Sequence, residues 1–376
     1  MPVELSYPSP HLGSSASSST RHCLVYFLPG NPGLIDYYGP FLAHLRQLLD
    51  HIEVRRKHAV TFHIYGRNLA GFDDADHPAP FNTTTNRPFD VEAQIQYSMK
   101  HLVAIASKVP RLSTDDTDVA AAAEQSLIPT ATPTAQDKPF NEVILIGHSL
   151  GTYLALEIFH RHLHDPAGIT STIALKSGIL LFATIAHLAK SRKGVQLNLI
   201  RRTPFLSTHV HTLAKLLLLL LPRFVAYWFL ARIWGMAPHA AATTTRFLKD
   251  SRDGVHQALY LGMDELKVIS EETWAEELWE IGDEAAAHAH EIPKFFIFFG
   301  KDDHWVPNEV RDRFIEKREE HAAREDAPRT KRGRTRIEVD EQGLPHDFCI
   351  SEFDLFCILR EPTCLVVVPS REVEYI

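Results

Sequence analysis

The sequence predicts an α/β architecture in which a mostly parallel sheet is flanked by helices. Three observations predict it. Short runs of β-forming apolar residues alternate with longer segments whose apolar residues recur every three or four positions. One run, Val143-Ile144-Leu145-Ile146, is unbroken, which suits a strand buried on both faces. That run leads directly into Gly147-His148-Ser149-Leu150-Gly151, the pattern of a sharp strand-to-helix turn.

Taken in order, the first twenty residues are loose and rich in Ser and Pro, and read as a disordered N-terminus (1–20). Cys23 to Leu28 reads as a strand that stops at the Pro29-Gly30-Asn31-Pro32-Gly33 turn. Tyr38, Phe41, Leu42, Leu45, Leu48 and Leu49 then mark one apolar helix face. The unit repeats with a strand over Ala59 to Tyr65 and a helix along Val91, Ile95, Met99 and Leu102. Residues 112–139 are rich in Thr, Ala, Asp and Pro without apolar periodicity, and read as a flexible insertion. After the apolar run, Thr152 to Leu163 continues as a helix. Later strands are expected at Thr172 to Lys176, Phe295 to Phe299 and Arg336 to Val339, and helices at 308–324 and 348–360. A single core is therefore expected from 21–178 and 291–361, with a helical cap over 179–290 and a tail over 362–376.

Composition narrows the class. The 376 residues are 45% hydrophobic and 23% charged, which excludes a wholly disordered, fibrous or polytopic membrane chain. The net charge of -8 gives no attraction to nucleic acid, and Lys331 to Arg336 reads as a solvated loop beside an acidic helix. Charge is unevenly spread. Between Asp165 and Asp250 lie 84 residues with no Asp or Glu and eleven Lys or Arg; subtracting those eleven from -8 leaves the rest at -19. A cationic insert sits on an acidic body. Cys23, Cys349, Cys357 and Cys364 show no metal-ligand spacing and read as reduced thiols. The N-terminus lacks the basic start and apolar run of a signal peptide, so residence on the cytosolic side is expected.

Chemistry is carried by G-x-S-x-G. Small residues flank such a serine because it occupies a strained turn where larger side chains would collide with neighbouring backbone. A serine hydroxyl is a poor nucleophile at its own pKa and needs a base, which in turn needs an orienting acid. Carboxylates appear after the strand Phe295 to Phe299, in Gly300-Lys301-Asp302-Asp303-His304-Trp305-Val306-Pro307, at the strand end where a parallel sheet gathers its site. A histidine follows the next strand, in Gly343-Leu344-Pro345-His346-Asp347. The chain order Ser149, Asp303, His346 is that of α/β-hydrolases. Asp303 is preferred to Asp302 because such hydrolases commonly read G-x-x-D-x-x-V-P at this turn. An oxyanion hole needs backbone N–H groups after the nucleophile and after an early strand, which points to Leu150 together with Gly30 and Asn31.

FLPGNPGLIDYYGPFL (27–42), GHSLG, GKDDHWVP and LPHDF together resemble the lipid droplet-associated hydrolases, a branch of the α/β-hydrolase superfamily. The most specific part is PGNPGxxxYY. The resemblance spans roughly 22–109, 140–178 and 292–361. It implies that Ser149, Asp303 and His346 form a triad, and it implies esterase chemistry on lipid droplets and the endoplasmic reticulum.

Leu213 to Trp234 reads LAKLLLLLLPRFVAYWFLARIW. Its length suits a bilayer span, but Pro222 breaks a helix at its middle and Arg223 is costly in hydrocarbon. Two short halves are expected, forming an interfacial anchor through Leu216, Leu217, Leu218, Leu219, Leu220, Leu221, Phe224, Trp228 and Trp234. Lys190, Arg192, Lys193, Arg201 and Arg202 precede it. The expected function is that of a serine ester hydrolase acting on sterol ester or glyceride lipids at a droplet or endoplasmic reticulum surface, with no metal or cofactor needed. Two alternatives are a lipid-droplet scaffold with a relic hydrolase fold and a lipid acyltransferase.

Overall fold

A computed structural model describes residues 1–11, 20–78, 81, 86–108, 140–203, 212, 215, 216, 220–272, 274, 278, 293–324 and 335–351. Seven strands form one sheet: β1 (Glu4–Tyr7), β2 (Arg21–Leu28), β3 (Val60–Arg67), β4 (Glu142–His148), β5 (Leu175–Leu181), β6 (Lys294–Phe299) and β7 (Arg336–Val339), in the order β1-β3-β2-β4-β5-β6-β7. Only β1 runs antiparallel to its neighbour among these strands; β2 to β7 are parallel, with Val25 facing Ile64 on one side and Ile144 on the other.

Helices α1 (Gly39–Arg55), α2 (Val91–Ala106) and α3 (Leu150–His164) follow β2, β3 and β4, which is the crossover pattern of a parallel sheet. α1 buries Phe41, Leu42, Leu45, Leu49 and Ile52, a face set by their three- and four-residue spacing. α2 starts where Asp90 accepts the Ala93 N–H at 2.8 Å, a side-chain cap on an otherwise unpaired donor. Phe27, Phe41, Phe62, Phe159, Phe182, Phe295, Phe296 and Phe299 are among the largest fully buried side chains. Each contributes roughly 1.5–3 kcal/mol by leaving water, so the core is anchored by aromatics above and below the sheet.

Between β5 and β6 lie α4 (Arg192–Arg202), α5 (Arg223–Arg232), α6 (Pro238–Asp250) and α7 (Gly254–Val268); α8 (Asn308–Arg324) follows β6. The Asp74 carboxylate accepts the Arg252 N–H at 2.8 Å, and Gln257 exchanges two hydrogen bonds with the Phe89 backbone at 2.7 and 2.8 Å, tying α6 and α7 to the loop after β3.

Three sequence expectations are corrected. Within the N-terminus read as disordered, Glu4–Tyr7 is a strand on β3, held by edge pairing from Glu4 with Arg67 to Tyr7 with Ile64. The strand expected over Thr172 to Lys176 lies at Leu175–Leu181, so the sheet extends past 178 into the segment assigned to the cap. Lys176-Ser177-Gly178 looks like a turn, but Gly178 is needed inside the sheet: a Cβ there would lie 2.7 Å from the Phe295 ring. Residues 347–350 form turn and Ser351 a bridge to Met236, so the helix expected over 348–360 does not begin there. The expectations for 112–139, for the rest of 348–360 and for 362–376 lie outside the described residues.

Candidate active site

Ser149 joins β4 to α3 with φ 52° and ψ -122°, a conformation that a residue with a side chain adopts only when its surroundings impose it. The surroundings are two glycines. A Cβ on Gly147 would lie 2.3 Å from the Gly151 carbonyl oxygen, and one on Gly151 2.0 Å from that of Leu28. The elbow is thus pressed against the end of β2, and Ser149 stands at the carboxyl edge of the sheet.

The loops after β6 and β7 bring the other two residues to it. His346 Nε2 lies 2.9 Å from Ser149 Oγ, and His346 Nδ1 lies 2.6 Å from Asp303 Oδ2. Asp303 Oδ1 accepts the Trp305 N–H at 2.8 Å, so both carboxylate oxygens are engaged. Burial pushes the Asp303 carboxyl up, but the His346 imidazole and the Trp305 amide outweigh it and hold the group below its ordinary value. Asp302 is exposed and meets Asn308 at 3.4 Å instead. The His346 loop is shaped by buried Asp340, whose carboxylate accepts the Gln342 and Leu344 amides at 3.0 and 2.6 Å. The geometry permits proton transfer from the serine hydroxyl to an imidazole whose other nitrogen is oriented by a carboxylate.

The oxyanion expectation is corrected at one residue. Gly30 donates its N–H to the Tyr38 hydroxyl at 3.1 Å, so this amide is already in use. The amides of Asn31 and Leu150 have no acceptor among the described residues, and Leu150 opens α3, where N–H groups lack intrahelical partners.

Sequence reasoning missed Tyr38 and His148. His148 Nε2 lies 2.8 Å from the His346 carbonyl oxygen, which can only accept, so Nε2 carries the proton. His148 Nδ1 then accepts from the Tyr38 hydroxyl at 2.7 Å, while the hydroxyl oxygen accepts from Gly30. Burial, reinforced by nearby His346, pushes the His148 pKa down to about 3, so the ring stays neutral. The sequence signal for these residues is only their place within GHSLG and the YY pair.

A cavity of about 370 Å³ opens over Ser149 and His346. Leu188, Leu197, Met236 and Leu259 supply apolar walls from the segment between β5 and β6. Asn31 reaches into that segment, donating from Nδ2 to the Ala258 carbonyl at 3.0 Å and to Glu265 Oε1 at 2.9 Å. A larger cavity of about 440 Å³ lies against α8 and is lined by none of Ser149, Asp303 and His346. Among the described residues, the one group with metal-ligand spacing is His11, Asp50 and Glu53. The Arg46 guanidinium pairs with Asp50 at 2.7 Å and Glu53 at 2.5 Å, so a cation is already present there and a metal ion fits poorly.

Residues 21–123 and 121–349 match the family model of the lipid-droplet associated hydrolases. The chain belongs to this family. It is accordingly a hydrolase on the α/β-hydrolase fold. Among solved structures, a lipase-esterase related protein from Clostridium acetobutylicum is similar at 12% identity and a TM-score of 0.47, over 96% of this chain and 98% of that one. Potato (Solanum tuberosum) epoxide hydrolase I is similar at 12% identity and a TM-score of 0.42, over 87% and 88%.

In this lipid-droplet associated hydrolase family member, α5 begins immediately after Pro222, and no helix among the described residues is long and apolar enough to cross a membrane. Leu216, Leu220, Phe224, Trp228 and Trp234 are 55%, 83%, 75%, 55% and 68% exposed. Leu221 is half-buried, its carbonyl accepting from Lys249 Nζ at 2.6 Å. Leu217, Leu218 and Leu219 lie outside the described residues.

Proposed function

We propose that the protein is a serine ester hydrolase acting on acyl ester lipids, of the sterol ester or glyceride class, at the cytosolic surface of lipid droplets and the endoplasmic reticulum. The observation that carries this reading is the pair of hydrogen bonds of 2.9 and 2.6 Å that join Ser149, His346 and Asp303 beneath an apolar-walled cavity. Ser149 Oγ attacks the ester carbonyl carbon while His346 Nε2 takes the hydroxyl proton, and Asp303 stabilises the resulting imidazolium. The Leu150 and Asn31 amides receive the developing oxyanion. His346 then protonates the departing alcohol, and a water molecule deacylates the serine by the reverse proton route.

The surface reading rests on the exposed apolar face. Leu216, Leu220, Phe224, Trp228 and Trp234 are worth roughly 1.5–3 kcal/mol each when fully buried, so partial insertion of several suffices for attachment. On α4, Leu197 lines the cavity while Val195 and Leu199 are 58% and 70% exposed, so apolar surface is also presented beside the site. The test is covalent labelling with a fluorophosphonate probe. Labelling of the wild type at Ser149, absent in Ser149→Ala, is expected; folded but inert wild-type protein overturns the enzyme reading in favour of a scaffold.

A further inference from the structure

The cavity over Ser149 has one polar corner. Ala258, Gly262 and Glu265 lie at positions i, i+4 and i+7 of α7 and so share one face. That face closes over Asn31: its Nδ2 meets the Ala258 carbonyl and Glu265 Oε1 at 3.0 and 2.9 Å, and a Cβ on Gly262 would come within 3.3 Å of it. Glu265 is 6% exposed and lines the cavity together with Ser149 and His346. Among the described residues no cation pairs with it.

The hydrogen-bond pattern leaves Oε2 as the Glu265 oxygen free to carry a proton. A backbone carbonyl only accepts, so Asn31 must turn its NH₂ group toward Ala258. The opposite flip would set two oxygens against each other, and the observed orientation is kept although Asn31 Oδ1 is buried without a partner. Both amide hydrogens are thus used, and Glu265 Oε1 is an acceptor. Burial outweighs the Asn31 hydrogen bond and, with repulsion from Asp264 added, pushes the Glu265 carboxyl up to about 8, so at neutral pH it is predominantly an acid whose hydrogen lies on Oε2. Oε2 makes no hydrogen bond among the described residues. A carboxylic O–H in an apolar-walled cavity needs one.

We infer that Glu265 is a specificity contact that donates a hydrogen bond to a second oxygen of the lipid substrate, separate from the scissile ester. The substrate class this selects is an ester with a further oxygen acceptor close to the reacting carbonyl, such as the free hydroxyl or neighbouring ester of a glyceride. A sterol ester, whose alcohol is hydrocarbon beyond the ester itself, leaves the acid unpaired. This assignment rests on the proposed hydrolase reading of the same site, but binding tests it separately.

The experiment compares monooleoylglycerol, ethylene glycol dioleate and propyl oleate, which share an acyl chain and differ in the second oxygen. Wild-type kcat/KM is expected to favour at least one of the first two over propyl oleate by about tenfold or more. The glycerol ester, if alone favoured, identifies a hydroxyl as the ligand, and the glycol diester a second ester. Glu265→Leu should bring the ratio to about one, while Glu265→Gln, whose amide can still donate, should retain it. An equal loss on all three esters in Glu265→Leu, with the ratio unchanged, means a structural role or oxyanion contact and overturns the proposal, as does an equal rate on all three in the wild type. Dissociation constants of the wild type for 1-O-oleyl glycerol and oleyl propyl ether, neither of which can be hydrolysed, provide the arm independent of turnover. Tighter binding of the glycerol ether, lost in Glu265→Leu, supports the contact even if no ester is turned over and the hydrolase reading fails; equal binding overturns it even if esters are hydrolysed.

Discussion

Tyr38 and His148 share a hydrogen bond of 2.7 Å at the point where three loops of the site meet. Through it the amide of Gly30, on the loop after β2, is connected to the backbone carbonyl of His346, on the loop after β7. His148 belongs to the serine elbow itself, so the position of the nucleophile, the base and the loop carrying the Asn31 amide are set by one proton arrangement. Tyr38→Phe removes the hydroxyl and leaves two buried groups, the Gly30 N–H and His148 Nδ1, without partners. A loss of stability of about 1–3 kcal/mol is expected, with kcat falling while the fold is kept. Thermal unfolding and steady-state kinetics on one ester check it; unchanged kcat would show that the loops hold their places without this bond.

The two adjacent carboxylates separate cleanly. Asp303→Asn replaces the acceptor of the His346 Nδ1 proton, favouring the wrong tautomer, and a fall of about 10⁴ in kcat is expected. Asp302 is exposed and touches Asn308 only at 3.4 Å, so Asp302→Asn should change turnover little. The opposite ranking in purified variants moves the orienting role to Asp302.

Residues whose chemistry forces a local pattern were legible in the sequence. Ser149 needs small neighbours, and Asp303 and His346 must follow strands, so each carries a signature within a few positions of itself. β5 was misplaced because Lys176-Ser177-Gly178 carries turn composition, and the reason for glycine, the Phe295 ring packed on it, lies on a strand over a hundred residues away. β1 was missed because four residues of mixed polarity show no core face; their order comes from the edge of β3. Tyr38, His148 and Glu265 were invisible for the same reason: each acts through a partner far along the chain, Glu265 through Asn31 across the cavity wall. Local rules find the reacting groups, whereas supporting groups are defined by tertiary contact.

The exposed face of the segment between β5 and β6 should carry attachment to lipid. Replacing Leu220, Phe224 and Trp228 together with Ser removes three side chains that are 83%, 75% and 55% exposed, so stability should change little while binding to phospholipid-coated triolein droplets is lost. Neutralising Lys190, Arg192 and Lys193 should weaken binding less, and only on anionic droplets at low salt. Flotation of wild-type and variant protein with droplets measures both; wild-type affinity in the triple serine variant would remove this face from the attachment surface.

Glu265 also predicts how stability depends on pH. Its carboxyl is pushed up to about 8 by burial, against about 4.3 in an unfolded chain. Between those values the folded protein holds a proton that the unfolded chain has released, so the stabilisation is complete below about 4.3 and is lost as pH rises toward 8. Two buried histidines act in the opposite sense. His63 and His148 are pushed down to about 3, chiefly by burial, so the stability they confer is present above about 6.5 and is lost as pH falls toward 3. Asp303, held below its ordinary value, adds to the acid loss. From pH 6.5 to 8 the histidines finish losing protons in the unfolded chain, which raises stability slightly, while Glu265 loses its proton in the folded protein, which lowers it. Measured against Glu265→Gln, which cancels the histidines, wild-type stability should therefore fall by about 2 kcal/mol across that window. Glu265→Gln, uncharged throughout, should flatten this limb and leave the acid limb in place. Urea unfolding at half-unit pH steps checks the slope; a decline of equal steepness in the variant would mean that the proton released on unfolding belongs to another group and that Glu265 is ionised in the folded protein.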